Sequence, residues 1–296
     1  MTRTKMYHGI LAGLALVFAL TFAACPTGGG PGGDPQQTPG PSQADLNPNT
    51  TVPQKAAEIP DFDTATGGTY VADETTATAL VTAAMDEVQD IIGGLGINFS
   101  AAAASKTDGA RGVIKNEKIE YYFSEHQADI DKEIPGAKVY GYAKGTVSYD
   151  DPDVLPVRVN VDAKYRAEIP DGYTSSGTYT IKAVVGGEAK ATNLYISENP
   201  SGTVKVTGTA NVKFEVALSV TDGSNWVKCI VTESANLASS GRIKLTYSAK
   251  IFHTKDSSTY WATAEAGADL DINDLLGGFS DNSAEPAPAP PPAPKG

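Results

Sequence analysis

The run VRVNVDAKYRAEI, residues 157–169, decides the fold of this chain. Apolar side chains occupy every odd position of the run, and polar or charged side chains occupy every even position. Successive side chains of a β-strand point to opposite faces, so the run predicts a strand with one buried face and one solvated face. A register shift of one residue would bury the whole charged set, and the pattern therefore also predicts which face is buried.

The same period of two recurs over most of the chain after residue 113. Two more runs alternate clearly, residues 212–220 and 243–251, and weaker runs lie at 117–124, 138–149, 178–185, 189–197, 203–208, 225–233 and 258–272. Turn-forming residues separate the runs, among them Pro170-Asp171-Gly172, Gly186-Gly187, Asp222-Gly223 and Ser240-Gly241. Short separators join strands that are neighbours in a sheet, so the sequence predicts a mainly β fold, a single antiparallel meander of about ten strands. The pattern leaves a sandwich, a barrel and a curved sheet open.

One segment has the helical period instead. From Thr75 to Leu95 the polar positions carry Asp and Glu, whereas a membrane-surface helix carries Lys and Arg there. We therefore expect one long amphipathic helix, residues 75–95, packed on the apolar face of the sheet. Its predicted contact positions are Leu80, Val81, Ala84, Met85, Val88, Ile91, Ile92 and Leu95.

Proline marks the ends of the predicted domain. Of the 19 prolines, 13 lie in residues 26–53 and 286–294. Segments so rich in Pro and Gly bury too little apolar surface to order themselves. The sequence predicts a disordered tether over 25–59, a β-rich domain over 60–280 and a disordered tail over 281–296.

The charge balance excludes one class of partner. Lys and Arg number 23 against 35 Asp and Glu, a net charge of −12. A nucleic-acid-binding protein needs a cationic surface to meet phosphates, so we expect no nucleic-acid partner.

The first residues read as a secretory signal. Arg3 and Lys5 precede an apolar stretch over residues 9–24, which is shorter than the roughly 20 residues that a spanning helix needs. We expect residues 1–24 to be cleaved.

The segment Phe22-Ala23-Ala24-Cys25 resembles the lipobox of bacterial lipoprotein precursors, with Phe22 where Leu, Val or Ile is usual. The resemblance covers only residues 1–25 and implies cleavage before Cys25 and acylation of its thiol with chains such as palmitate. Several acyl chains hold a protein firmly in a bilayer, so the lipid bilayer is the expected partner. Residue 26 is Pro rather than the Asp that retains enterobacterial lipoproteins in the inner membrane. The implied location is the outer membrane, on its periplasmic or surface side.

Residues that could carry catalysis or bind a metal are sparse. After cleavage only His126 and His253 remain as histidines, and no Gly-x-Ser-x-Gly, Walker or Cys-x-x-Cys motif is present. Cys229 lies between Val227 and Val231 on one strand phase and reads as a buried apolar residue. The acidic run 269–274 lacks the Gly and the final acid of a calcium loop. We expect no cofactor and no metal.

Three tyrosines form the one candidate contact surface. Tyr122, Tyr140 and Tyr142 fall on the polar phase of neighbouring strands, which predicts exposed aromatic rings for a protein or glycan partner.

These observations favour a non-enzymatic envelope lipoprotein that acts as a structural or surface-interaction module. The alternative is a carrier or chaperone that holds an apolar ligand between the curved sheet and the helix. An envelope hydrolase is a third and weaker hypothesis.

Overall fold

Ten strands form one open sheet. A computed structural model describes residues 51–88, 115–151, 154–174, 177–199, 203–262 and 266–273. The spatial order is β10-β8-β7-β6-β5-β4-β3-β2, with β1 paired to β7 and β9 paired to β8. The strands are β1 Thr69–Tyr70, β2 Lys115–Tyr122, β3 Lys138–Asp151, β4 Val154–Tyr173, β5 Thr180–Glu198, β6 Val204–Thr221, β7 Asn225–Leu237, β8 Arg242–Phe252, β9 Tyr260–Ala262 and β10 Ala266–Asp271. The predicted mainly antiparallel meander is confirmed, and the sheet that the described residues form is not closed.

The decisive run of the sequence behaves as its pattern predicts. In β4 every odd side chain from Val157 to Ile169 is buried, while Arg158, Asn160 and Asp162 are exposed. We call the face that carries Val161 the core face and the opposite face the outer face. The core face is continuous across the sheet, because antiparallel pairing aligns the buried phases of successive strands.

Two predicted turns lie inside strands. Gly186 and Gly187 stand in the middle of β5, so the runs 178–185 and 189–197 are one strand. Gly187 is required there because the ring of Tyr165 covers it, and an added Cβ would lie 2.2 Å from Cε1 of that ring. Similarly, Pro170-Asp171-Gly172 lies within β4, where the pairing register with β5 shifts between Ile169 and Tyr173. The strands are therefore longer than turn chemistry predicts.

A helix packs on the core face, as predicted. Helix α1 spans Glu74–Ala83. The preceding residue, Asp73, caps its N-terminus, because the Asp73 carboxylate accepts the N–H of Thr76 at 2.8 Å. That hydrogen bond lowers the pKa of Asp73. Its buried residues and the helical turn after it join the core cluster: Ala77, Leu80, Val81, Ala84, Met85 and Val88.

The predicted helix 75–95 is interrupted early. Ala84 has left the helical conformation, and residues 85–88 are helical again. Residues 89–95 lie outside the described residues. Among the described helices, none has the length and apolar character needed to cross a membrane.

A second helix was not predicted. A 3-10 turn, Phe123–His126, ends β2 and leads into α2, Gln127–Glu133. The side chain of Gln127 accepts the N–H of Val139 at 3.0 Å and so ties the start of α2 to β3. Only seven residues long, α2 is too short for a periodic pattern to emerge from the sequence.

The N-terminal segment covers part of the outer face. Residues 51–59 were expected to belong to the tether, but Val52, Ala56 and Ile59 pack against Ala217, Ile230 and Phe252 of β6, β7 and β8. A 3-10 turn, Ala56–Glu58, shapes the contact. These three apolar side chains cover apolar side chains of the outer face, so the ordered domain begins before residue 60.

One buried lysine anchors this segment. Lys228 on β7 is 1% exposed, pairs with the Asp61 carboxylate, and donates to the carbonyl oxygens of Ala56 at 2.6 Å and Lys255 at 3.2 Å. Its ammonium also lies 6.0 Å from the ring centre of Trp226. All three hydrogens of the ammonium therefore have acceptors, as a buried cation requires.

Strand β1 continues the chain from this anchor to the helix. Its two residues pair in parallel with Asn225 and Trp226, which extend beyond the region where β8 pairs with β7. The chain then enters α1. The segment thus passes from the outer face to the core face around the end of β7.

Candidate functional site

A single row of side chains crosses the core face. Tyr165, Gly187, Phe214, Glu233 and Tyr247 stand directly opposite one another on β4, β5, β6, β7 and β8. Residues opposite each other in an antiparallel pair lie on the same face, so all five share the core face. We call this set the central row.

Glu233 is the exceptional member of the central row. It is 2% exposed, and within the described part of the chain neither carboxylate oxygen has a hydrogen-bond partner. Burial disfavours the charged form and raises the pKa of Glu233 to about 7. At neutral pH this carboxyl group therefore exists both with and without its proton.

Tyr165 carries the second buried polar group of the row. Its ring reaches over Gly187 and lies 5.3 Å from the ring of Phe123 and 6.3 Å from that of Phe214. Among the described residues nothing hydrogen-bonds its hydroxyl group, and burial raises the pKa of that hydroxyl well above its usual range. The hydroxyl can both donate and accept a hydrogen bond.

Tyr247 connects the row to the helical segment. Its hydroxyl donates to Sδ of Met85 at 3.2 Å, and its ring stands beside Glu233 across the β7–β8 pair. A thioether is a weak acceptor. A ligand with a stronger hydrogen-bond acceptor could therefore replace Met85 as the partner of the Tyr247 hydroxyl.

Strand β7 carries two buried charged residues, one on each face. Lys228, on the outer face, has acceptors for its hydrogens and a carboxylate beside it. Glu233, on the core face five residues later, has no hydrogen-bond partner for its carboxyl group among the described residues. The fold can satisfy a buried charge, so the state of Glu233 needs a separate explanation.

The electrostatics of the core face are one-sided. Among the buried residues that the structure describes, Lys228 on the outer face is the only cation. The buried polar residues Lys228, Ser219 and Thr221 contact the N-terminal segment instead. Among the described buried residues, Glu233 has no cation on its own face of the sheet.

The residues predicted from sequence have different fates. Cys25 lies outside the described residues. Tyr122 and Tyr142 are direct cross-strand partners, and Nζ of Lys144 lies 5.3 and 5.4 Å from their ring centres. The expectation of exposure is wrong for Tyr122, which is only 7% exposed at the end of β2, while Tyr140 and Tyr142 are half-buried.

Other candidates for chemistry are held in structural contacts. Cys229 is buried in the core, which raises the pKa of its thiol to about 12. The ring of His253 lies 4.3 Å from that of Trp261. Asp269 pairs with Arg242, and Asp271 accepts the N–H of Asn273. Across the described ranges, no three His, Cys, Asp or Glu side chains are grouped so that they could hold a metal ion.

Sequence reasoning overlooked Glu233, although its signal was present. The apolar phase of β7 runs through Val227, Cys229 and Val231 and then meets Glu233 before Ala235. A charged residue on a buried phase breaks the pattern by which strands are recognised. Tyr165 gave no such signal, since a tyrosine on a buried phase is ordinary.

Comparison of the chain with protein-family models, curated proteins and solved structures gives no significant match.

Proposed function

We propose that this protein is a membrane-anchored lipoprotein of the cell envelope that carries an apolar ligand on the core face of its sheet. The observation that supports the proposal is the pair of buried polar groups in the central row, the Glu233 carboxyl and the Tyr165 hydroxyl, which lack partners among the described residues. Both lie on an otherwise apolar face of an open sheet.

Buried polar groups without partners lower the stability of the empty protein. Burying a polar group without a partner costs roughly 1–3 kcal/mol, and more for an ionisable group. Neighbouring rows of the same face use Ala, Val and Leu, which would fill these positions without that cost. A purely structural sheet gains nothing from Glu233, whereas a carrier uses such groups to orient its ligand.

The proposed anchor suits this activity. Acylation at Cys25 would keep the domain beside a bilayer, where apolar ligands are concentrated. The stretch from residue 26 to Thr51 would be the tether between the lipid and the first described residue. The proposed location is the outer membrane, and the proposed activity is binding rather than catalysis.

A structural or surface-interaction role is the second candidate. One observation favours it, the group formed by half-buried Tyr140 and Tyr142 with Lys144 on the outer face of β3. Aromatic side chains are enriched in protein–protein interfaces. This role would use the outer face and would leave the core face without a ligand.

Mass spectrometry of the protein extracted from its own membranes tests the carrier proposal. We expect acyl chains on Cys25 and a co-purified apolar molecule that is released when the protein unfolds. Binding of the apolar dye Nile red gives a second readout. Ala235→Leu, which enlarges a core-face side chain next to Glu233, should weaken dye binding by about tenfold or more. Asn236→Leu, on the outer face of the same strand, is the matched control.

The carrier proposal fails if the native protein contains no releasable molecule and Nile red does not bind. It also fails if Ala235→Leu and Asn236→Leu leave dye binding equally unchanged, because the dye would then bind elsewhere.

A further inference from the structure

Resting on the proposed function, we infer that the ligand is an aliphatic chain with a hydrogen-bond-donating, non-anionic head group, and that Glu233 receives that head. A hydroxyl, an amide or an amine meets this description. A fatty-acid carboxylate or a phosphate does not.

The first step concerns hydrogen-bonding capacity. A carboxylate only accepts hydrogen bonds, whereas a protonated carboxyl donates one and can still accept others. Neither oxygen of Glu233 receives a donor from the described residues. A donor can therefore bond to Glu233 in both states, and Tyr247, the nearest hydroxyl along the row, directs its own proton to Met85.

The second step concerns charge. An anionic head beside Glu233 would place like charges together in a region of low dielectric. The only buried cation of the described residues, Lys228, lies on the outer face and cannot neutralise either of them. A neutral donor avoids this penalty, and an amine replaces it with an ion pair.

The side chains around Glu233 are suited to an aliphatic chain. Two rows flank Glu233 along β7: Ala163, Ala189, Val212, Ala235 and Leu245 on one side, and Ala167, Val185, Val216, Val231 and Ala249 on the other. All of these side chains are aliphatic and buried. An aliphatic chain with its head at Glu233 would therefore lie among aliphatic side chains only.

Tyr165 sets the scale of the site. Its hydroxyl lies over β5, since it would approach within 2.8 Å of a Cβ on Gly187. Glu233 stands on β7, two strand spacings away, or roughly 10 Å. A single head group does not reach both, so Tyr165 is left for a second polar group farther along the ligand.

Competition among matched ligands tests the inference. The full chain carrying Cys25→Ser, which cannot be acylated, would be loaded with Nile red, and 1-dodecanol, dodecylamine and dodecanoate would compete for it. We expect the alcohol and the amine to compete at least about tenfold better than dodecanoate.

Variants of Glu233 assign the preference to its carboxyl group. Glu233→Gln keeps an acceptor but no charge, so it should retain dodecanol and weaken dodecylamine by about tenfold. Glu233→Leu should weaken both of these ligands toward dodecanoate while leaving Nile red bound. Glu188→Gln, at an exposed position on the outer face of β5, is the matched control. Circular dichroism would verify that each variant is folded, and Glu233→Leu removes an unfavourable burial and should not lose the fold.

Two outcomes would overturn the inference in different ways. If Nile red binds but the three chains compete equally, or dodecanoate competes best, the head-group inference is wrong and the carrier proposal stands. If neither the dye nor any of the three chains binds the folded protein, the carrier proposal itself is wrong and the inference falls with it.

Discussion

Replacing Glu233 by glutamine should remove a large part of the pH dependence of this protein's stability. Burial raises the pKa of Glu233 from 4.5 to about 7 in the folded state. Between these values the folded protein keeps a proton that the unfolded chain has released. Stability must therefore fall as pH rises from about 4.5 to about 7 and change little above that. At about 1.4 kcal/mol for each pH unit, the loss attributable to Glu233 is about 3 kcal/mol.

Urea unfolding at about pH 5 and about pH 8 measures this loss. Because a part of the loss lies below pH 5, the stability difference between the two conditions should be about 2 to 3 kcal/mol smaller for Glu233→Gln than for the unchanged protein. Tyr247 stands opposite Glu233, and Cys229 lies on the same face of β7, but burial raises both of their pKa values to well above this range. Buried Glu87, which follows α1, is present in both proteins, so its contribution cancels.

The control for this experiment is Glu188→Gln, since Glu188 is exposed on the outer face. It should lose as much stability between the two conditions as the unchanged protein does. If Glu233→Gln loses the same amount to within about 0.5 kcal/mol, the Glu233 carboxyl is not held in an apolar environment, and the reasoning about the central row is refuted.

Three further predictions concern the rest of the molecule. Val161→Ala should cost on the order of 1–3 kcal/mol in a urea melt, because it removes two buried methyl groups, whereas Asp162→Ala on the outer face should cost under about 0.5 kcal/mol. A larger cost for Asp162→Ala would mean that the assigned faces of β4 are inverted. Asp61→Asn should lower the free energy of unfolding by roughly 1–3 kcal/mol, because it leaves a buried cation without its counter-charge. Lys228→Met should lower it by less, and equal losses in urea melts would contradict this. Cys25→Ser should leave an uncut precursor that is not acylated, and mass spectrometry measures both changes. If the variant is cut as the unchanged protein is, the lipoprotein hypothesis is wrong.

The face of each strand could be predicted because it depends on a local rule. Alternation from Val157 to Ile169 gave the buried phase of β4 without any knowledge of its neighbours. Strand length could not be predicted in the same way. Gly186-Gly187 has the composition of a turn, and only the ring of Tyr165, which comes from another strand, explains why a glycine belongs inside β5.

Burial of polar side chains depends on contacts between distant parts of the chain. Lys228 lies on the polar phase of β7 and looks like a solvated residue, yet residues 51–61 cover it. Tyr122 was expected to be exposed for the same reason and is buried. An alternating pattern predicts the direction of a side chain, but it does not predict what other segment lies on that face.

Glu233 is the reverse case, since local sequence alone marks it as unusual. A designer of a stable sheet would place an apolar residue at that position, as the chain does at Val231 and Ala235 on either side. The folded protein tolerates the cost because the core around Glu233 is extensive. A group that weakens the empty fold and has no described partner becomes favourable only when something binds it. Ligand binding would therefore stabilise the fold by more than its apolar contacts alone, in proportion to the penalty it removes. On this argument Glu233 matters most to the difference in stability between the empty and the loaded protein.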